Sequence, residues 1–263
     1  MRNSLQRIVS DFQSQMETVK RQLALFDYLV RGSPTLTGLV ISETQSRNMA
    51  IIARAMNTYI SNEMRVAIQN GSIIIGAAFF EESIRAIVRD CLVVMAHKKK
   101  HFHELGRSVQ KSQIASFGTK FVELKNPDEL FQVEFITQIE NMLTCARKAQ
   151  GYVLLSAEIS KNKNNMRSAE LTDLCNRIGV SGIWEKLAQK KPLQDYIGQY
   201  NPKFVLSEAT NRLNAFIEIR NGLMHLNPIA SSYGTPWIEA ELDFLSAVTM
   251  CTASVIDDHL RRL

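Results

Sequence analysis

Between Leu5 and Val30 the apolar residues fall at Leu5, Val9, Phe12, Met16, Val19, Leu23, Phe26 and Val30, in alternating steps of four and three. That rhythm is a heptad seam, so the segment is predicted to be one long helix whose stripe must be covered. Arg31-Gly32-Ser33-Pro34 ends it, because glycine leaves the helical well and proline cannot continue the hydrogen-bond ladder. Packing inside the subunit is the expected use of the seam, as in natural bundles; pairing with a partner is the alternative.

Helical signals continue along the chain. Ser42 with Gln45 resembles a capping box that opens a second helix to about Gln69. Asn70-Gly71-Ser72 reads as a break, followed by a helix from Ile73 to about Ala96 that is apolar all round and therefore central. No period is assignable from there to about Lys125. Asn126-Pro127 reads as an N-cap with proline at the first helical position, predicting a helix through about Leu155. Residues 160–167 form a polar, basic loop. Helices are then expected at 169–178, at 183–198 with an interruption at Pro192, at 203–226, and from Thr235-Pro236 to about Arg261.

Only 12 glycines and 6 prolines occur in 263 residues, which argues against a turn-rich β architecture. Neither an internal repeat nor a βαβ pattern is present. The expected fold is therefore all-α, an up-and-down helical bundle with an added N-terminal helical hairpin. The division is drawn at 1–70 for the N-terminal long helices and 71–263 for the main helical domain.

A formal net charge of +5 favours phosphate backbones or acidic partners without singling them out. Cys91, Cys145, Cys175 and Cys251 are dispersed in apolar helical patterns with no CxxC pair. They are expected to be reduced and buried, with no metal site and no disulfide framework. Met1-Arg2-Asn3-Ser4-Leu5 lacks the apolar core of a signal peptide, and the apolar run Ile73 to Phe80 is too short to span a bilayer. A cytoplasmic protein with no membrane partner is expected.

Chemistry concentrates in Ile217-Glu218-Ile219-Arg220-Asn221-Gly222-Leu223-Met224-His225. Leu213, Phe216, Ile217, Leu223 and Met224 mark the buried stripe of a helix, which places Arg220 on that stripe. Asn221 and His225, four apart, lie one above the other on its edge. Polar residues there require partners or a wet cavity. Histidine moves protons near neutral pH, arginine grips phosphate with two donors, and an amide orients either one. On local physics alone a hydrogen-bonded structural cluster and a phosphate-handling site both remain open.

Arg220-Asn221-Gly222-Leu223-Met224-His225 resembles the Arg-polar-x-x-x-His signature of HEPN domains in its Arg-Asn form. Its place on the penultimate long helix of an all-α chain agrees. Gly76-Ala77-Ala78-Phe79-Phe80-Glu81-Glu82 is similar to the Phe-Glu or Leu-Glu segment of RiboL-PSP-like and related stand-alone HEPN groups, as is Arg177-Ile178-Gly179-Val180 with Trp184 and Leu187. The resemblance spans about Ile73 to Leu260. It implies a ribonuclease needing neither metal nor cofactor, in which the 2′-hydroxyl of RNA attacks the adjacent phosphate. The resemblance also implies a homodimer that brings both motif copies to one cleft. Carried onto this chain, His225 is general base or acid, Arg220 stabilises transition-state charge, and Asn221 orients His225 or contacts phosphate. Glu81 or Glu82 is expected to bond Arg220 or His225, with a solvated pair as the plain reading.

Lys98, Lys99 and Lys100 are candidate RNA-backbone contacts, against the simpler reading of a solvated helix end. His101 and His103 point different ways and lack a third ligand. By family analogy the role is a toxin or antiphage-defence effector, with RNA as substrate and an antitoxin or a nucleotidyltransferase as further partner. The alternatives are a non-catalytic module binding RNA, nucleotide or protein, and a helical adaptor that assembles through the N-terminal seam.

Overall fold

The computed structural model describes residues 2–31, 62–162, 164–225 and 233–263. Long helices are α1 (Arg2–Arg31), α2 (Asn62–Lys98), α3 (Arg107–Val122), α4 (Val133–Ala146), α9 (Pro202–His225) and α10 (Thr235–Arg261). Shorter ones are α5 (Ser156–Ile159), α6 (Ser168–Arg177), α7 (Ile183–Leu187) and α8 (Lys191–Ile197), with 3₁₀ turns at Phe102–Glu104 and Pro127–Phe131. Among the described residues there is no strand, and the protein is all-α. None of these helices is long and apolar enough to cross a membrane.

At the centre α1, α2 and α10 pack on one another. Gln69 meets Thr235 at one end of the α2–α10 pair and Lys98 meets Leu260 at the other, so these two helices run parallel. Ser4 bonds Asp90 and Lys20 pairs with Asp243, which sets α1 antiparallel to both. Leu5, Phe12, Met16, Val19 and Leu23 of the heptad seam are buried in the same core as α2 and α10. The seam is therefore consumed within the subunit. Gly76 permits the close approach of α2 and α10, since a Cβ there would lie 2.4 Å from the buried Leu242 Cδ2.

Three expectations need correction. The break at Asn70-Gly71-Ser72 is absent: α2 runs through it. Ser72 donates to the Ile68 carbonyl at 2.9 Å, and Gln69, Asn70 and Ser72 are buried, so tertiary packing overrides weak helix propensity. The boundary drawn at 70/71 thus falls inside one helix. Residues 42–61 of the second predicted helix, and the stop at Asn227-Pro228, lie outside the described residues.

The helix expected from Asn126 to Leu155 ends at Ala146. Asn126 does cap, accepting from the Asp128 amide at 3.1 Å, but the first turn is 3₁₀. Left-handed Lys148 and Gly151, at φ of 56° and 85°, then turn the chain into an extended segment. Two side-chain amides replace the lost helical bonds. Gln113 donates to the Val153 carbonyl and accepts from the Leu155 amide, both at 2.9 Å. Asn141 accepts from the Val153 amide at 2.8 Å and donates to its carbonyl at 2.7 Å. The unassigned segment before Lys125 contains α3, whose Gln113 is one of these clamps. The third correction is Met224, taken as part of the buried stripe of α9 but 53% exposed.

Glu241, 5% exposed on α10, accepts from Arg212 Nε at 3.1 Å, and the guanidinium lies over the Tyr196 and Phe244 rings. Burial raises the Glu241 carboxyl above its ordinary range, and Arg212 offsets only part of that rise. Glu241→Ala is expected to cost on the order of 2–3 kcal/mol in urea denaturation. That is below the ~3–5 kcal/mol of a fully buried pair, since the Arg212 side chain keeps 27% of its surface in solvent. A loss under ~0.5 kcal/mol would mean that the pair is not formed.

All four cysteines are free and buried. Burial pushes the Cys145 and Cys251 thiols up to about 11 and the Cys175 thiol to about 12, and raises Cys91 further still. Thiolate is the reactive form. The native protein is expected to react slowly with a disulfide reagent at pH 8 and to release four equivalents only after unfolding; a fast native equivalent would contradict this packing.

Candidate active site

Asn214, Glu218, Asn221 and His225 follow steps of four, three and four, so they form one row along α9. Residues 164–168 cover the lower part of this row. The Ser168 amide donates to Asn214 Oδ1 at 2.9 Å, and Arg167 pairs with Glu218. Asn165 Nδ2 donates to Asn221 Oδ1 at 2.8 Å. His225, the last residue of α9, lies beyond this cover and is exposed.

Arg220 is half-buried beside the same contact. Its Nη1 donates to Asn165 Oδ1 at 3.0 Å and to Asn221 Oδ1 at 3.2 Å. Arg220, Asn221 and Asn165 therefore form a closed triangle of donors and acceptors. Arg220 Nε is buried and, among the described residues, has no hydrogen-bond partner. An unsatisfied buried donor costs about 1–3 kcal/mol. Nε belongs to the guanidinium edge that grips a carboxylate or phosphate with two parallel bonds.

The loop is held from the other side by α2. Glu81, its side chain 12% exposed, accepts from the Met166 amide at 3.1 Å and lies 3.9 Å from Arg85. Met166 itself is fully buried, and Trp184 Nε1 donates to the Ser168 carbonyl at 3.0 Å. Among the described residues Glu81 bonds neither Arg220 nor His225, contrary to expectation. It acts one step removed, by fixing the backbone next to Asn165. Glu82 faces outward and pairs with Arg85 and Arg89, the solvated arrangement.

Lys98, Lys99 and Lys100 stand apart from this cluster. They follow Glu81 by 17–19 residues, roughly 25 Å along a helix axis. Lys98 donates to the Leu260 carbonyl and Lys99 to the Leu263 carbonyl at 3.0 Å, while Lys100 is exposed. Two of the three lysines thus satisfy carbonyls at the end of α10, where cations are electrostatically favoured. No group of three His, Cys, Asp or Glu side chains among the described residues is placed to hold a metal ion.

Sequence reasoning missed Asn165. It lies 55 residues before Arg220, inside a stretch read only as polar loop. The one available signal was the density of asparagine at 162, 164 and 165, residues that bond backbone and side chains in turns.

An all-α bundle that presents Arg-Asn-x-x-x-His at the end of its penultimate long helix is a HEPN domain in fold and motif. The chain belongs to the RiboL-PSP-HEPN family, whose model matches residues 47–236. That span includes Glu81, Asn165, Arg220, Asn221 and His225, begins earlier than the expected Ile73, and stops near the start of α10. Neither the curated proteins nor the solved structures give a match.

The Asn165–Asn221 contact joins a loop to a helix across 56 residues. Asn165→Ala and Asn221→Ala are each expected to destabilise the fold by ~1 kcal/mol, and to be non-additive by about 0.5–1 kcal/mol in a double-mutant cycle read by urea denaturation. Strict additivity would remove the contact from the account.

Proposed function

We propose that this protein is a metal-independent endoribonuclease in which Arg220, Asn221 and His225 carry the chemistry. The observation that supports it most is the state of Arg220. Its Nη1 is anchored by Asn165 and Asn221, so the plane of the guanidinium is set in advance for contact with a phosphate.

In the reaction, the 2′-hydroxyl oxygen attacks the neighbouring phosphorus and the O2′–P bond forms as the P–O5′ bond breaks. One histidine takes the 2′ proton, and a proton delivered to the departing O5′ leaves a 5′-hydroxyl and a 2′,3′-cyclic phosphate. His225 is exposed at the end of α9, as a group must be to meet both RNA and a second copy of the site. In a homodimer one copy of the histidine serves as base and the other as acid. Arg220 stabilises the charge that builds on the phosphorane oxygens. Asn221, shared between Arg220 and Asn165, sets the guanidinium in place. A toxin or antiphage-defence role, with an antitoxin or nucleotidyltransferase partner, is the biological setting that this chemistry suits.

Cleavage of end-labelled RNA in EDTA checks this reading. Wild type is expected to cut and leave cyclic phosphate ends. His225→Ala should lower kcat/KM by about 10²–10⁴, and Arg220→Ala by about 10²–10³. A folded, dimeric wild type that leaves structured and unstructured RNA intact would refute the proposal and favour a binding module. Activity retained by both variants would place the chemistry elsewhere.

A further inference from the structure

A cleft of about 610 Å³ opens between α7 and the last turns of α10, lined by Ser181, Gly182, Lys186, Lys190, His259 and Arg262. None of these residues belongs to the Arg220 cluster. Its volume falls within the range of small-molecule sites, roughly 300–1,000 Å³.

The charges in it are unevenly paired. Lys190 is neutralised by Asp258 at 2.7 Å and also donates to the Ser254 hydroxyl at 3.0 Å. Lys186 donates to the Ser181 carbonyl at 2.6 Å, a neutral acceptor that leaves its charge uncompensated. Arg262 has no carboxylate partner among the described residues, and Glu185 is the one lining carboxylate outside an ion pair. Three cations against Glu185 and Asp258 leave an excess of one positive charge.

His259 is the convergence point. Its ring lies against Gly179, where a Cβ would stand 3.7 Å from Cε1 and Nε2. Burial holds its pKa below the ordinary value, and the fields of Lys186 and Arg262 act in the same direction. Lys186 and Arg262 line the same cleft as this imidazole. An anion between Lys186 and Arg262 would relieve their mutual repulsion and gain charge-assisted hydrogen bonds.

We propose that this cleft binds the phosphoryl group of a small phosphate monoester, held by Lys186 and Arg262 with His259 beside it. A monoester suits the site better than a phosphodiester because its terminal phosphoryl group offers three free oxygens, against two, to Lys186 and Arg262. Val255 supplies an apolar wall for the organic part of the ligand.

The test titrates the full chain with inorganic phosphate and with AMP, read by calorimetry and by the NMR signals of the His259 ring, assigned with His259→Gln. Both ligands are expected to bind saturably, with AMP at least as tight, and to move the His259 signals. Lys186→Ala and Arg262→Ala should each weaken binding about tenfold. Glu185→Gln should strengthen it, and Arg220→Ala should leave the ligand-induced shifts of the His259 signals unchanged. Lys186 is half-buried and Arg262 exposed, so thermal unfolding confirms that these variants stay folded. The opposite effect of Glu185→Gln checks the same electrostatics independently. Absence of saturable binding at millimolar ligand would overturn the proposal. So would binding that is lost in Arg220→Ala but kept in Lys186→Ala and Arg262→Ala. Tighter binding of a short deoxyoligonucleotide than of AMP, through Lys186 and Arg262, would overturn it by making the cleft a nucleic-acid contact.

Discussion

The structure depends on the need to enclose α10. Its buried side chains run from Thr235 to Leu260 and include Ile238, Leu242, Phe244, Leu245, Val248, Cys251, Val255 and Ile256, which point to most sides of the helix. Such a helix has no face to give to water, and its stability comes from packing rather than propensity. Packed around it are α1, α2, α7 and α8, with Arg212 of α9 reaching Glu241. Thr249 and Thr252, fully buried, donate to the carbonyls of Leu245 and Val248, so their hydroxyls need no outside partner. Glu241, the one buried charge among the described residues, is matched by an arginine stacked on two aromatic rings.

That enclosure determines where polar chemistry can sit. The middle of α9 buries Leu213, Phe216 and Ile217, which leaves Asn214, Glu218, Asn221 and His225 along its outer row. The chain then covers part of that row with its own loop. Met166 anchors the loop in the core, and Glu81 takes the amide that Met166 leaves at the surface of α2. Asn165 is thereby delivered to Arg220 with little freedom left to lose. A guanidinium held at Nη1 by two amide oxygens has a defined plane, which is the requirement for bidentate recognition at its other edge. His225, by contrast, keeps its exposure at the end of the helix. One part of the motif is held by the loop and the other reaches outward.

The sequence by itself determined the helices and the placement of the motif on α9. Periods of four and three are imposed by the geometry of the α-helix, so the seam of α1, the final helix from Thr235, and the Asn221–His225 row were legible. Helix boundaries were legible where a residue favours one, as with Pro192 in the first turn of α8 and left-handed Gly179 just past the end of α6. They were not legible where packing outweighs propensity, as at Asn70-Gly71-Ser72, or where Gln113 and Asn141 hold an extended segment that reads as helix. Tertiary structure alone decided which partners the polar side chains found: Asn165 for Arg220, Met166 for Glu81, and the Leu260 and Leu263 carbonyls for Lys98 and Lys99. The physical reason is range. Periodicity records constraints within a few turns of one helix, whereas these contacts join residues 55, 85, 162 and 164 apart, whose meeting depends on how whole helices pack.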